Sequence, residues 1–227
     1  MSNLRDDLLE LGLSYTASEL DDIVARAQKG RWSPTQILEH IAQRELAERS
    51  QRSLERRLRR GKLGVFKPIA DFDWGWPKQI DRHLVESALS LDFLEHAGNV
   101  VLVAAQGLGK TMIAKNIAHR AVLAGHAVRF TTASELLLDL AAQDSPRALD
   151  RRINYWSRIK LLVLDEIGYL SYDNRNADLL FQVVSRRYET KSIVLYVTWN
   201  QPPRRVERLI RGGSWPVDRR RSGGIAF

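Results

Sequence analysis

The stretch Asn99–Thr111, NVVLVAAQGLGKT, constrains the fold of this chain more than any other part of it. An apolar run, Val100–Ala104, is followed by a loop rich in small residues, Ala105–Gly109, and then by an amphipathic segment, Met112–Ala124. A strand, a glycine-containing loop and a helix in this order are the context of a phosphate-binding loop. The alternative is an ordinary glycine-containing turn between a core strand and a helix.

The loop and the two residues after it have the chemistry that a bound polyphosphate requires. Gly107 and Gly109 let successive backbone N–H groups point at an anion, and the N-terminus of the next helix adds partial positive charge. Lys110 can reach the β- and γ-phosphates, and the Thr111 hydroxyl can ligate Mg²⁺. Ala104 replaces a glycine of the full pattern, a mild change because Ala is the next smallest residue. The predicted nucleotide-binding residues are Ala105, Gln106, Gly107, Leu108, Gly109, Lys110 and Thr111.

A second motif, Lys160–Glu166 with the sequence KLLVLDE, is an apolar run that ends in two carboxylates. It predicts a second parallel strand lying beside the first one. Asp165 would hold the Mg²⁺, and Glu166 would orient and deprotonate the attacking water. Together the two motifs predict a site for ATP and Mg²⁺.

The apolar runs after the loop predict strands that alternate with helices. This alternation indicates an α/β fold with a parallel sheet and right-handed crossovers, whose ligand lies at the carboxyl edge of the strands. Asn200, just beyond the last predicted strand, falls on this edge and could hydrogen-bond the γ-phosphate or the attacking water; a turn-forming asparagine is the alternative. Lys110, Glu166 and Asn200 are therefore the catalytic candidates. The predicted strands cover 100–104, 127–130, 161–165 and 192–198, and the predicted helices 80–96, 112–124, 132–142, 147–157 and 176–188.

The first part of the chain has only helical spacing, which predicts helices over 2–13, 18–27 and 34 to about 60, with a break over 14–18. Glycines then stop the third helix, and prolines at 68 and 77 bracket a linker. We interpret Trp74 and Trp76 as docking this linker on the core, with stacking on a base as the alternative. The predicted domains are 1–67, helical and DNA-binding; 68–200, ATP-binding; and 201–227, an irregular basic tail.

The net charge of +8 and the pI near 10.0 indicate a polyanionic partner such as DNA. The segment Arg49–Lys62 has seven Lys and Arg residues against one Glu, so it could follow a phosphate backbone; a solvated basic helix face is the alternative. The lack of cysteine excludes disulfides and thiolate metal sites. No apolar run approaches the roughly 20 residues of a membrane span, and the N-terminus is acidic, so we expect a cytoplasmic protein without membrane association.

The motifs resemble those of the ATP-binding helper proteins of IS21-type insertion sequences, the IstB-like group of the AAA+ superfamily, which is related to the helicase loader DnaC. The resemblance reaches from the N-terminal helices to about Asn200. It implies ATP binding and hydrolysis, binding to double-stranded DNA without strong sequence preference, homo-oligomeric assembly on DNA, and recruitment of an IS21-type transposase. The stretches that carry it are DFDWGWPKQIDR at 71–82, AAQGLGKT at 104–111, VRFTTASELLLDL at 128–140, LLVLDEIGYLSYD at 161–173 and ADLLFQVVSRRYE at 177–189.

The sequence departs from the family pattern at its C-terminal end. Tyr196–Asn200 reads YVTWN where the family has a Thr-Thr-Asn-like ending, and 201–227 is arginine-rich without a strand period. A reading-frame shift near Gln201 is our hypothesis for this tail. We expect the family's fifth strand to be missing, which would leave Val100–Ala104 as an open apolar edge.

The missing region is also where the family's arginine finger is expected, so we predict weak or absent ATPase activity. Arg186 and Arg187 are possible substitutes by position. Three alternatives remain open: a basic tail that holds DNA by charge, a DnaC-like helicase loader, and a non-catalytic DNA-binding remnant of a transposon gene. The sequences IGYL at 167–170 and SRRYE at 185–189 favour the insertion-sequence helper over the loader.

Overall fold

The computed structural model describes residues 3–76, 80–165, 174–198 and 222–226. By internal contacts the chain forms two compact units, Met1–Arg56 and Arg57–Phe227. The sequence predicts a DNA-binding domain that ends at residue 67 and an ATP-binding domain after it. This division by function stays a prediction. Among the described residues, no helix has the length and apolar character needed to cross a membrane.

The first unit is helical, as its sequence spacing predicts. Its helices are α1 (Leu4–Glu10), α2 (Ser14–Ser18), α3 (Leu20–Gly30) and α4 (Pro34–Gly61), the last of which continues into the second unit. The expected break over 14–18 is wrong because this segment forms the single turn of α2. Thr16 and Ala17 are buried there, and the buried carboxylate of Glu45 accepts a hydrogen bond from the Thr16 N–H at 2.8 Å. This long-range contact stabilises a turn too short to be favoured by its own propensity.

The second unit contains a five-stranded, fully parallel sheet in the order β2-β3-β4-β1-β5. The predicted α/β class with a parallel sheet flanked by helices is confirmed. In chain order the elements are α5 (Arg82–Ser90), β1 (Asn99–Ala104), α6 (Lys110–Leu123), β2 (Val128–Thr132), α7 (Ala133–Ala141), α8 (Pro146–Arg158), β3 (Leu161–Asp165), α9 (Asn174–Arg187), β4 (Ser192–Thr198) and β5 (Ser222–Ala226). The predicted helix over 80–96 is shorter because Leu91 ends α5 in a left-handed conformation with φ of +72°.

The core lies on both faces of the sheet, as the near-continuous apolar strands require. Leu162 and Leu164 of β3 join one cluster with side chains of β4 and of α7, α8 and α9. Alternation along the strand turns Leu161 and Val163 to the opposite face, where α6 packs. All four of these leucine and valine side chains are essentially fully buried.

The order of the central strands corrects one expectation. β3 does not lie beside β1: it pairs with β2 and β4, and β4 pairs with β1. Both β3 and β4 are apolar on both faces, so hydrophobic patterning does not distinguish which of them is the neighbour of β1. Asp165 therefore lies two strand spacings from β1, which is about 10 Å.

The edge of β1 corrects a second expectation. β5 pairs in parallel with β1, with Asn99 opposite Ser222 and Val103 opposite Ala226, so the predicted open edge is wrong. A strand at the edge of a sheet needs one ladder of backbone hydrogen bonds, and a short glycine-containing segment can supply it without a side-chain period. The rest of the predicted tail, 201–221 and Phe227, lies outside the described residues.

Candidate nucleotide-binding site

The loop between β1 and α6 is shaped by two glycines in left-handed conformations. Gly107 has φ of +83° and Gly109 has φ of +82°, values that side chains rarely adopt. A Cβ atom at Gly107 would meet no atom within 4 Å, so the space beside this residue is open. A Cβ atom at Gly109 would lie 2.5 Å from Cε2 of Phe72. The first glycine thus leaves room for a ligand, and the second allows close packing of an aromatic ring.

Lys110 is the first residue of α6, and its side chain folds back over the loop. Its Nζ donates hydrogen bonds to the carbonyl oxygens of Ala104 at 2.9 Å and Ala105 at 2.6 Å. The residue is 5% exposed, and this burial lowers the pKa of the ammonium group, while the carboxylate of Asp165 opposes the shift. The positive charge is held at the loop by backbone carbonyls, partners that a phosphate can replace.

The start of α6 provides the rest of an anion site. α6 has 14 residues, Gly109 caps its N-terminus without a side chain, and Thr111 in its first turn is exposed. The first N–H groups of a helix have no carbonyl partner within that helix and carry partial positive charge. The open space at Gly107, these N–H groups and the Lys110 ammonium therefore suit a polyphosphate, so the residues present fit ATP.

The residues predicted to bind the metal and to act on water are only partly covered by the structure. Asp165 ends β3 at the carboxyl edge of the sheet, half-buried and close enough to Lys110 for its charge to influence the lysine's pKa. Together with the exposed Thr111 it offers the oxygen ligands that Mg²⁺ prefers. Glu166 and Asn200 lie outside the described residues, so their roles stay predictions.

Two residues that the sequence did not assign join the segment before α5 to this site: Asn116 of α6 and Phe72 of the segment itself. Asn116 of α6 is buried, accepts a hydrogen bond from the Ile69 N–H at 2.9 Å and donates to the Lys67 carbonyl at 2.9 Å. These bonds hold the segment against α6, where the buried Phe72 ring contacts Gly109. In the sequence, the polar residue Asn116 on the apolar side of α6 could have indicated such a contact.

The two linker tryptophans behave differently. Trp74 is half-buried and packs on Phe72 with ring centroids 4.8 Å apart, and the Arg82 guanidinium lies 4.8 Å from the Trp74 ring centroid. Trp76 is 61% exposed. The docking interpretation therefore holds for Trp74 and not for Trp76.

The two arginines considered as finger substitutes are engaged within the chain. Arg186 donates to Asp150 at 2.7 Å and to Asn154 at 2.8 Å. Arg187 is fully buried and donates to the carbonyl oxygens of Trp156 and Ser192 at 2.7 and 2.6 Å. Burial rules out Arg187 as a residue that reaches a neighbouring molecule's nucleotide.

In the basic segment at the end of α4, some cations bond to groups of the same chain and the others are exposed. Arg49 donates to the Gly12 carbonyl at 2.9 Å, Arg52 pairs with Glu48 at 2.8 Å, and Arg57 donates to the Val122 carbonyl at 3.2 Å. The remaining cations are exposed, and three of them share one helix face at i, i+3 and i+4 spacing. We call these three residues the α4 arginine face: Arg56, Arg59 and Arg60.

The comparison with known proteins agrees with the geometry of the loop. The family model described as IstB-like ATP binding protein matches residues 6–204. The chain belongs to this family. The match ends four residues past Asn200, close to where the sequence resemblance ends. An insertion sequence IS21 ATP-binding protein of Pseudomonas aeruginosa is 33% identical to this IstB-like chain over 195 residues, which are 86% of this chain and 74% of that protein.

Solved structures show the same fold. AMPPCP-bound DnaA from Aquifex aeolicus matches with a TM-score of 0.57 and 20% identity, over 73% of this IstB-like chain and 50% of that chain. The DnaC helicase loader matches with a TM-score of 0.53 and 15% identity, over 74% of this chain and 96% of that chain. The IstB-like chain thus spans about half of the DnaA structure. These similarities confirm the predicted AAA+ fold.

Proposed function

We propose that this IstB-like protein binds ATP with Mg²⁺ and acts in the cytoplasm as an ATP-dependent, DNA-binding helper of insertion-sequence transposition. The observation that carries the nucleotide part is the loop itself. The loop has two glycines in left-handed conformations, and the space beside Gly107 is open. The Lys110 ammonium is held at the loop by two backbone carbonyls, which a phosphate can replace. When bound, ATP can favour one state of the protein's assembly on DNA over another, provided that it binds the two states with different affinity.

We propose that Thr111 and Asp165 hold the Mg²⁺ that accompanies the nucleotide. Asp165→Asn removes one negative charge and should abolish the dependence of ATP affinity on Mg²⁺. We expect the wild-type affinity to fall about tenfold, roughly 1.4 kcal/mol, when EDTA removes the metal, and the variant to show no such difference. Equilibrium titration with a fluorescent ATP analogue measures both. Asp150→Asn is the matched control, because Asp150 pairs with Arg186 on the surface; an Asp165→Asn protein that still responds to Mg²⁺ contradicts the assignment.

Hydrolysis by this chain is proposed to be weak. Glu166 would activate the water and Asn200 would contact it or the γ-phosphate. A cation supplied by a neighbouring subunit stabilises the charge of the transition state and can contribute on the order of 10³ to 10⁵ in rate. Arg187 is buried and cannot serve in this way, and Arg186 would first have to leave its surface pairing with Asp150. Phosphate release measured with DNA present, and abolished by Lys110→Ala, would contradict the non-catalytic alternative.

The DNA-binding part of the proposal is supported by the charge of +8 and by the exposed α4 arginine face, Arg56, Arg59 and Arg60. Replacing these three with Gln should weaken duplex binding uniformly across sequences. The slope of log affinity against log salt is negative, and each lost phosphate contact should make it less steep by about 0.9. Fluorescence anisotropy of labelled duplexes at several salt concentrations measures this.

A second triple variant with the same change in charge provides the control for DNA binding. Arg5, Arg26 and Arg186 are each paired with an aspartate, so their replacement by Gln should leave the salt slope close to the wild-type value. Equal slopes for the two triple variants would mean that net charge, and not the α4 arginine face, determines the affinity.

The partners are proposed from the family. The relative in Pseudomonas aeruginosa is described as an ATP-binding protein of an insertion sequence. We therefore propose a transposase of the IS21 type as the protein partner and self-assembly on DNA as the working state. The similarity to DnaC is a similarity of fold at 15% identity, so the loader function remains the alternative. Pull-down of an IS21-type transposase by this protein, with and without ATP and DNA, tests the choice.

A further inference from the structure

We infer that Phe72 is a positioning residue of the nucleotide site: its ring supports Gly109 and holds the loop Ala105–Gly109 in the conformation that receives a polyphosphate. The inference rests on the proposed nucleotide binding. It adds a residue that lies 33 positions before the loop's first residue in the sequence.

The contact between the ring and the loop is close. Phe72 is 8% exposed, and three of its ring atoms would lie within 3.4 Å of a Cβ atom placed on Gly109. Such a spacing is available only to a residue without a side chain. Two features therefore require glycine at position 109: its φ of +82°, and the Phe72 ring that occupies the space of a side chain.

The ring is itself held from two sides. Trp74 packs on Phe72 at 4.8 Å between ring centroids. The Arg82 guanidinium lies over the Trp74 ring and pairs with Glu86 at 2.7 Å. On the side of α6, Asn116 bonds to the backbone of the same segment at Ile69 and Lys67. The hydrogen bonds anchor the segment that carries the ring, and the contact with Trp74 opposes movement of the ring away from Gly109.

A supported loop has a thermodynamic advantage for binding. Glycines give a loop many conformations, and a ligand that needs one of them must overcome the entropy of the others. A ring packed on Gly109 removes part of this freedom before the ligand arrives. Pre-organisation of this kind raises affinity without any contact to the ligand.

The test compares two linker phenylalanines in the full-length protein. Phe72→Ala should weaken binding of a fluorescent ATP analogue about tenfold, and Phe72→Tyr, which keeps the ring, should restore most of the affinity. Phe66 is the matched control because it packs on His119 of α6 at 5.4 Å between ring centroids. Phe66→Ala should therefore keep wild-type affinity at a temperature where both variants are folded.

Amide hydrogen exchange separates failure of this inference from failure of the proposed function. In nucleotide-free protein, Phe72→Ala should speed exchange in the peptide that contains Ala105–Gly109 by about tenfold, while Phe66→Ala should not. Unchanged exchange in Phe72→Ala overturns the inference whether or not the protein binds ATP. Wild-type affinity in Phe72→Ala, together with lost affinity in Lys110→Ala, overturns it while leaving the proposed function intact. Faster exchange in Phe72→Ala than in the wild type, together with a wild type that binds no nucleotide, supports the positioning role and contradicts the proposed function.

Discussion

Lys110→Ala should weaken the binding of a fluorescent ATP analogue about 100-fold, equivalent to about 2.7 kcal/mol. The side chain holds a positive charge against the loop, and it has only backbone carbonyls as hydrogen-bond partners in the described structure. A phosphate oxygen is a stronger partner than a carbonyl oxygen for an ammonium group. The lysine should therefore exchange its partners when the nucleotide binds, and alanine cannot.

The same substitution should not destabilise the nucleotide-free protein. Burial lowers the pKa of Lys110, which means that the folded chain disfavours the charged form relative to water. Removing the charge relieves this desolvation cost, and because Ala105 is exposed, water can take the place of the lysine at its carbonyl, unlike at the buried carbonyls that Arg187 contacts. We expect a melting temperature within about 2 °C of the wild type, an estimate from a change of less than about 1 kcal/mol. A large loss of affinity with unchanged stability would show that Lys110 serves the ligand.

Lys115→Ala is the control for Lys110→Ala because it removes another lysine of α6. Lys115 Nζ donates to the Val65 carbonyl at 3.3 Å and lies 5.2 Å from the Phe130 ring centroid, so its contacts belong to the linker and the sheet. Its loss should leave the affinity for the ATP analogue unchanged. Equal affinities for the wild type and Lys110→Ala would contradict the nucleotide site proposed here.

The positions of the first four strands and of the loop could be predicted from the sequence because they depend on local patterns. Val100–Ala104 and Leu161–Asp165 are apolar runs with glycine or acidic residues at their ends, and both form strands close to the predicted bounds. Their order in the sheet depends on which buried strand pairs with which. Since β3 and β4 are both apolar on both faces, neither composition nor period contains that information.

The contacts that the sequence did not reveal join residues far apart in the chain. Asn116 bonds to Ile69 across 47 positions, and Phe72 lies against Gly109 across 37. Sequence patterns identify one member of such a pair, such as an aromatic residue in a linker, without its partner. β5 shows the same limit for the backbone, because Ser222–Ala226 has little strand propensity and forms a strand through its pairing with β1.

Arg187→Met should lower the free energy of unfolding by about 3–5 kcal/mol, the largest effect on stability that we expect from a single substitution. The guanidinium donates to the carbonyl oxygens of Trp156 at 2.7 Å, Ser157 at 3.3 Å and Ser192 at 2.6 Å. Two of these carbonyls are in the last turn of α8, where a helix cannot satisfy its own acceptors. The third is at the first residue of β4. Arg187 thus connects a helix end to the start of a central strand.

Burying the charge of Arg187 has a free-energy cost, which its hydrogen bonds to carbonyl oxygens must offset. Burial lowers the pKa of Arg187 to about 9, well below the ordinary value of a guanidinium, so the charged form carries a desolvation cost in the folded chain. The carbonyl bonds offset that cost. Methionine relieves the desolvation cost, yet it removes the donor that three carbonyl oxygens share, and this second effect should dominate.

Urea unfolding of two further variants, Arg186→Met and Arg187→Lys, tests whether stability depends on the hydrogen bonds of the buried guanidinium or only on positive charge in this region. Arg186 is adjacent in sequence, is 37% exposed in its side chain and pairs with Asp150, so its loss should cost less than about 1 kcal/mol. Lysine at 187 keeps the charge and has three donors, but its single nitrogen cannot span both the end of α8 and the start of β4 as a planar guanidinium does. Its cost should therefore be intermediate. If Arg187→Met and Arg186→Met unfold at the same urea concentration, the carbonyl bonds do not stabilise the fold, and Arg187 must be retained for another reason.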